Sequence, residues 1–95
     1  MLMESWNWSV LKGLEVKLLN DEAEPINLET ADFYVEDEAV PAIGRVNLQP
    51  GKECFLTIGY SRQEDKPRRL RIALSSKSYV FTIPTASGES LIGSN

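Results

Sequence analysis

The sequence predicts an all-β domain of two antiparallel sheets. Apolar and polar residues alternate over 14–18, 54–60, 69–74 and 79–83, which is the period of a strand with one buried face. Tight-turn chemistry separates these runs at spacings of about eight to twelve residues, most clearly at Leu48-Gln49-Pro50-Gly51. No period of 3.6 runs for the length of a helix.

Taken along the chain, Trp6-Asn7-Trp8-Ser9-Val10 alternates, so residues 1–13 form an aromatic N-terminal arm or a first strand. Gly13 interrupts it, and Leu14, Val16 and Leu18 then line one face of the next strand. Asn20 to Pro25 is a polar turn, because Asn and Asp side chains bond their own backbone and Pro25 fixes φ. Ile26-Asn27-Leu28 and Phe33-Tyr34-Val35 are short strands, the second closed by the solvated acidic turn Glu36-Asp37-Glu38. Pro41 and Gly44 bracket a loop before Val46 and Leu48 alternate into the Pro50-Gly51 turn, where glycine takes the positive φ of a type II turn. Cys54, Leu56, Ile58 and Tyr60 share a face, while Phe55 and Thr57 give the opposite face some apolar character.

A charged loop spans Arg62 to Pro67, and Leu70, Ile72 and Leu74 then alternate with Arg69, Arg71 and Ala73. Ser75 to Ser78 is short enough for a hairpin, after which Tyr79, Phe81 and Ile83 run to Pro84, which cannot donate to a ladder. The Ser- and Gly-rich stretch 85–95 reads as a flexible tail, leaving 14–84 as the β domain. The expected core is Leu14, Val16, Phe33, Val35, Val46, Leu48, Leu56, Ile58, Leu70, Ile72, Phe81 and Ile83. Seven to eight short strands in one small domain predict an immunoglobulin-like two-sheet sandwich, with a partly open β-barrel as the alternative.

Composition narrows the roles. The 95 residues contain one cysteine and no histidine, which removes an internal disulfide, Ser-His and Cys-His catalysis, and the commonest zinc ligand. A domain of this size buries only about 60–65% of its unfolded surface. Packing or a partner must therefore supply stability, and a homo-oligomer or a protein partner is expected. The net charge of −4 divides unevenly: residues 1–44 hold ten acids and two bases, residues 45–95 four acids and eight bases. Either strands from the two halves interleave and neutralise one another, or the molecule has two poles. No apolar run reaches the roughly 18 residues of a membrane span, so no membrane insertion is expected. Met1 to Ser5 has neither the basic region nor the apolar run of a signal peptide, so the expectation is cytoplasmic synthesis, with a virion or other assembly as a place of work.

The segments Leu14 to Asn20, Pro25-Ile26, Phe33 to Asp37, and Leu48 to Gly51 before Leu56 to Tyr60 resemble those of small immunoglobulin-like accessory domains of bacterial and archaeal surface proteins. The resemblance implies adhesion or assembly rather than catalysis. It carries no functional residue over to this chain.

Trp6 and Trp8 are the sharpest candidates. Two apart on a strand, they share a face at about 6.6 Å, as core residues, as an anchor for a protein, or as a stacking platform for a sugar or base. Arg68, Arg69 and Arg71 form the basic cluster, with Arg69 and Arg71 on the face opposite Leu70 and Ile72. That pattern suits a cation-protected edge strand better than a nucleic-acid site, because no aromatics interleave on that face. The acidic groups Asp21-Glu22-Glu24 and Glu36-Asp37-Glu38 lack the spacing of a calcium loop, and Cys54 reads as a small buried residue. No catalytic residue, cofactor, metal site or small-molecule substrate is predicted. The expected function is protein binding, as a structural or accessory subunit of an assembly such as a phage particle or surface filament. A small acidic inhibitor of a basic protein and a carbohydrate-binding module are the alternatives.

Overall fold

The computed structural model describes residues 1–60, 66–86 and 88–93. Among these residues there is no helix, and the strands are β1 (Leu2–Ser9), β2 (Gly13–Leu19), β3 (Ile26–Asn27), β4 (Asp32–Val35), β5 (Glu38–Ala39), β6 (Ala42–Ile43), β7 (Asn47–Leu48), β8 (Glu53–Ile58), β9 (Arg68–Ala73), β10 (Ser78–Ile83) and β11 (Gly88–Ile92). All pairings are antiparallel. One sheet has the order β11-β1-β2-β8-β6, a second β10-β9-β4-β5, and β3 pairs with β7 as a small third ladder; none closes into a barrel.

Both larger sheets turn their apolar faces into one core. Leu14, Val16 and Leu18 of β2 meet Leu56 and Ile58 of β8, and Leu70, Ile72, Phe81 and Ile83 come from the second sheet. Every residue expected in the core is buried except Val46, which is 39% exposed. Its ladder covers only Asn47–Leu48, so Val46 lies outside the strand whose alternation would have turned it inward. Its carbonyl instead accepts the amide of Leu28 at 2.9 Å.

The aromatic N-terminal segment is a strand. Met3 pairs with Leu18 but Ser5 pairs with Lys17, so β1 carries one extra residue, Glu4, against β2. Such a bulge resets side-chain parity. As a result Met3 and Trp6, an odd number apart, are both buried.

Part of the stretch expected as a tail, Gly88–Ile92, is strand β11. β11 pairs along β1, from Leu2 opposite Ile92 to Trp6 opposite Gly88, because β1 would otherwise offer a long unpaired edge. The charged loop expected from Arg62 to Pro67 falls largely on 61–65, outside the described residues.

The Pro50-Gly51 turn follows its local chemistry, with glycine at the positive φ. Lys52 N donates to Gln49 O at 3.1 Å around Pro50-Gly51, with Gly51 at φ 75°. The β4–β5 hairpin places Glu36 and Asp37 at φ 50° and 66°, the two positive values of a type I′ turn. There Glu36 N donates to Arg69 O at 3.0 Å, and Arg69 N donates to Glu36 Oε1 at 3.0 Å.

Candidate functional site

Trp6 and Trp8 do share a face, and both are committed to the fold. Trp6 is buried, its indole N–H donating to Ala86 O at 2.8 Å, while the half-buried Trp8 donates to Pro84 O at 2.7 Å and stacks at a tilt on Tyr60, centroids 6.3 Å apart. The pair pins the crossover that carries the chain from β10 to β11. Trp6 therefore has no open ring face for a partner, and Trp8 only a partial one.

The arginine cluster is split by the strand's alternation. Arg68 lies on the core side of β9 at 6% exposure, and its Nε has no hydrogen-bond partner among the described residues. Arg69 faces outward beside Asp37 at 3.6 Å, and Arg71 lies over the Tyr34 ring with its guanidinium carbon 4.2 Å from the centroid. These three side chains do not make one basic patch. Cys54 is buried, which pushes its thiol pKa up and away from reactivity.

The outer face of the five-stranded sheet is the surface that packing leaves unexplained. Register places Ser5, Lys17 and Phe55 in one row and Asn7, Glu15, Thr57 and Ile43 in the next. Phe55 is 71% exposed and Ile43 73% exposed. Across the two rows runs a depression of about 230 Å³ lined by Ser5, Asn7, Glu15, Lys17, Phe55 and Thr57. The Lys17 ammonium stands 5.6 Å from the Phe55 ring centre and 3.0 Å from Glu53. Asn7 Nδ2 donates to Glu15 Oε1 at 3.4 Å.

Charge on this face is tuned by a carboxylate pair. A hydrogen bond with Glu53, together with burial and the repulsion of that carboxylate, raises the pKa of Glu4 above its ordinary value. The same hydrogen bond and the Lys17 ammonium lower that of Glu53. Such a surface can recognise a partner through one ring, one aliphatic side chain and a rim of alternating charge. Among the described residues no group of three or more Cys, Asp or Glu is placed to hold a metal ion.

Phe55 was visible in the sequence as an apolar residue on the wrong parity of a well-patterned strand. Ile43 was not, because β6 is two residues long and shows no alternation. Two further features stand apart from this face. Val10 and Leu11, at the tip of the β1–β2 hairpin, are 96% and 95% exposed. A cleft of about 180 Å³ opens between β4, β5 and β6.

Among the described residues no helix is long and apolar enough to cross a membrane. Set against family models, curated protein sequences and solved structures, the chain matches none.

Proposed function

We propose that this protein is a non-enzymatic, immunoglobulin-like protein-binding module, working as a small structural or accessory subunit of a larger assembly such as a phage particle or surface filament. The immunoglobulin-like part of this reading is supported by strand order. The order β1-β2-β8-β6 against β5-β4-β9-β10 corresponds, in chain sequence, to the A-B-E-D and C′-C-F-G wiring of that sandwich, with β11 added outside the first strand.

The observation that carries the binding reading is the outward Phe55 and Ile43, side by side on β8 and the edge strand β6 of the five-stranded sheet. Large apolar side chains on a polar face lower solubility and add nothing to the core, whereas interfaces are enriched in such residues and surround them with a polar rim. Phe55→Arg with Ile43→Arg removes this apolar pair without touching the core. The wild-type protein, tagged and purified from the cells that make it, is expected to retain a partner at fixed stoichiometry. The folded double variant should lose it, with affinity falling at least tenfold. Retention of the partner by the variant at unchanged affinity refutes this face as the interface.

A further inference from the structure

We propose that strand β10 pairs through its free edge with β10 of a second copy of this chain, about a two-fold axis at Val80, so that the two four-stranded sheets join into one. This inference rests on the protein-binding reading and names one partner for it, at a surface apart from Phe55 and Ile43.

Hydrogen-bond parity defines the edge. Leu74 N donates to Lys77 O at 2.8 Å, so these two residues form a bonded pair of the β9–β10 hairpin. Bonded and non-bonded pairs alternate along an antiparallel ladder. Tyr79, Phe81 and Ile83 therefore direct their N–H and C=O groups to Ile72, Leu70 and Arg68, and those of Ser78, Val80 and Thr82 point away from β9. The far side of β9 agrees, since Arg69 O accepts Glu36 N from the β4–β5 turn. β10 ends its sheet, and among the described residues nothing bonds the outward backbone groups of Ser78, Val80 and Thr82.

Natural sheet edges are ordinarily kept short, bulged, or guarded by charge or proline. The other edges of the two large sheets offer less to a partner: β5 and β6 are two residues long, and β11 carries Gly88 and Glu89. β10 has six residues without a charge, a proline, a glycine or a break in register. The arginines expected to protect an edge strand sit on β9, which lies one strand in. An unguarded edge of this length is a template for another strand.

The edge is its own complement. Antiparallel pairing about Val80 sets Ser78 opposite Thr82 of the second copy, Val80 opposite Val80, and Thr82 opposite Ser78, so every pair joins two outward-facing residues. All three are then bonded pairs, each exchanging two N–H···O=C bonds. Moving the centre to Tyr79 or Phe81 loses one of them, because Thr82 or Ser78 then falls opposite a residue outside β10. On the solvent face the register matches Thr with Ser and Val with Val, which are favourable cross-strand neighbours. Charge does not oppose it: three strand spacings of about 4.8 Å separate the Arg69 and Arg71 rows of the two copies, more than the Debye length of about 8 Å. Lys77, beside the edge, is held by Glu22 of its own copy at 2.8 Å. Strand addition draws its affinity from main-chain bonds rather than from area, and this contact closes at two copies. With an area below the roughly 800 Å² per partner of a standard interface, the dimer forms between about 10 μM and 1 mM protein.

Sedimentation velocity of the full chain from about 10 μM to 1 mM tests the proposal. The wild type and Phe55→Arg should pass from monomer to dimer and stop there. Val80→Lys and Val80→Glu each set like charges about 5.5 Å apart across the axis, and each should dimerise at least tenfold more weakly. Mixed in equal amounts, these two should dimerise as the wild type does, because lysine then faces glutamate; that recovery also shows both variants to be folded. Thr82→Pro, at an exposed position whose N–H points away from β9, removes an outward donor and should weaken the dimer as well. A wild type that is monomeric at 1 mM, a wild type that grows past the dimer, or a Val80→Lys dimer as tight as the wild type overturns the proposal. A monomeric wild type that still retains a partner through Phe55 and Ile43 overturns the self-pairing alone and leaves the protein-binding reading standing. Dimerisation lost in Phe55→Arg but kept in both Val80 variants overturns it too, and gives the dimer to the sheet face.

Discussion

Asn20, just past the end of β2, is the residue whose chemistry reaches furthest beyond its own segment. It is fully buried, and every polar group it carries is used: Nδ2 donates to Glu24 O at 2.8 Å and to Leu48 O at 2.9 Å, and Oδ1 accepts Glu22 N at 2.9 Å. Its backbone closes the arrangement, with N donating to Lys52 O at 3.0 Å and O accepting Gly51 N at 2.8 Å. The side chain thus ties the 20–24 turn to β7, and the backbone of the same residue ties it to the Pro50-Gly51 turn. The sequence marks Asn20 only as a turn former, because satisfaction by Leu48 O requires a segment distant in the chain. Asn20→Ala should cost about 1–3 kcal/mol by orphaning the carbonyls. Asn20→Asp should cost more at pH 7, since a buried carboxylate would face two carbonyl oxygens. Burial would raise that carboxyl's pKa in the folded state, so the penalty grows as pH rises through the unfolded value and shrinks in acid. Urea titrations at pH 7 and pH 4 check this, and an aspartate variant as stable at pH 7 as the alanine variant contradicts the geometry.

At the scale of elements, β11 shows how a strand can be hidden from sequence reading. Gly88 opens it because no side chain fits there: a Cβ would lie 2.6 Å from Cζ2 of Trp6. Gly88→Val should therefore push the indole aside, break its bond to Ala86 O, and loosen β11 from β1. The expected result is a red shift of tryptophan emission with a loss of about 1–3 kcal/mol, the usual range for overpacking. Unchanged emission and stability would mean that β11 contributes little to covering Trp6. The long strands β2, β8, β9 and β10 were legible because each buries one face and alternates cleanly. β11 was not, because its stretch is rich in Gly and Ser and its partner lies at the other end of the chain. The bulge at Glu4 was equally silent, since parity resets only when β1 is laid against β2. At the candidate interface the same rule holds: Phe55 stood out against the alternation of a long strand, whereas Ile43 needed β6 to be placed beside β8.

For the whole molecule, the uneven charge of the two halves is offset because each large sheet draws strands from both halves. Acids of the first half pair with bases of the second at Glu22 with Lys77 and Asp37 with Arg69. Glu22 is the strongest of these links. Its carboxylate accepts the Met1 ammonium at 2.8 Å, Lys77 Nζ at 2.8 Å and the Tyr79 hydroxyl, joining the start of β1 in one sheet to the β9–β10 hairpin of the other. Those three donors, Lys77 first, lower its pKa from 4.5 to about 2. The same ion pair lifts that of Lys77, and burial lifts that of Tyr79. A carboxylate whose pKa is depressed by folding stabilises the native state above its unfolded value, and that contribution is lost as pH falls through the folded one. Because the group is partly exposed, solvent screening limits its worth, and Glu22→Gln should cost about 1–2 kcal/mol at pH 7. The wild type and the variant should then converge as pH is lowered from about 4.5 to 2, the window set by the shift of Glu22 itself. Denaturant titrations of both proteins through that range provide the measurement. A stability gap that persists undiminished at pH 2 would show that Glu22 acts through packing rather than charge, and that the two sheets are held at this end by their apolar faces alone.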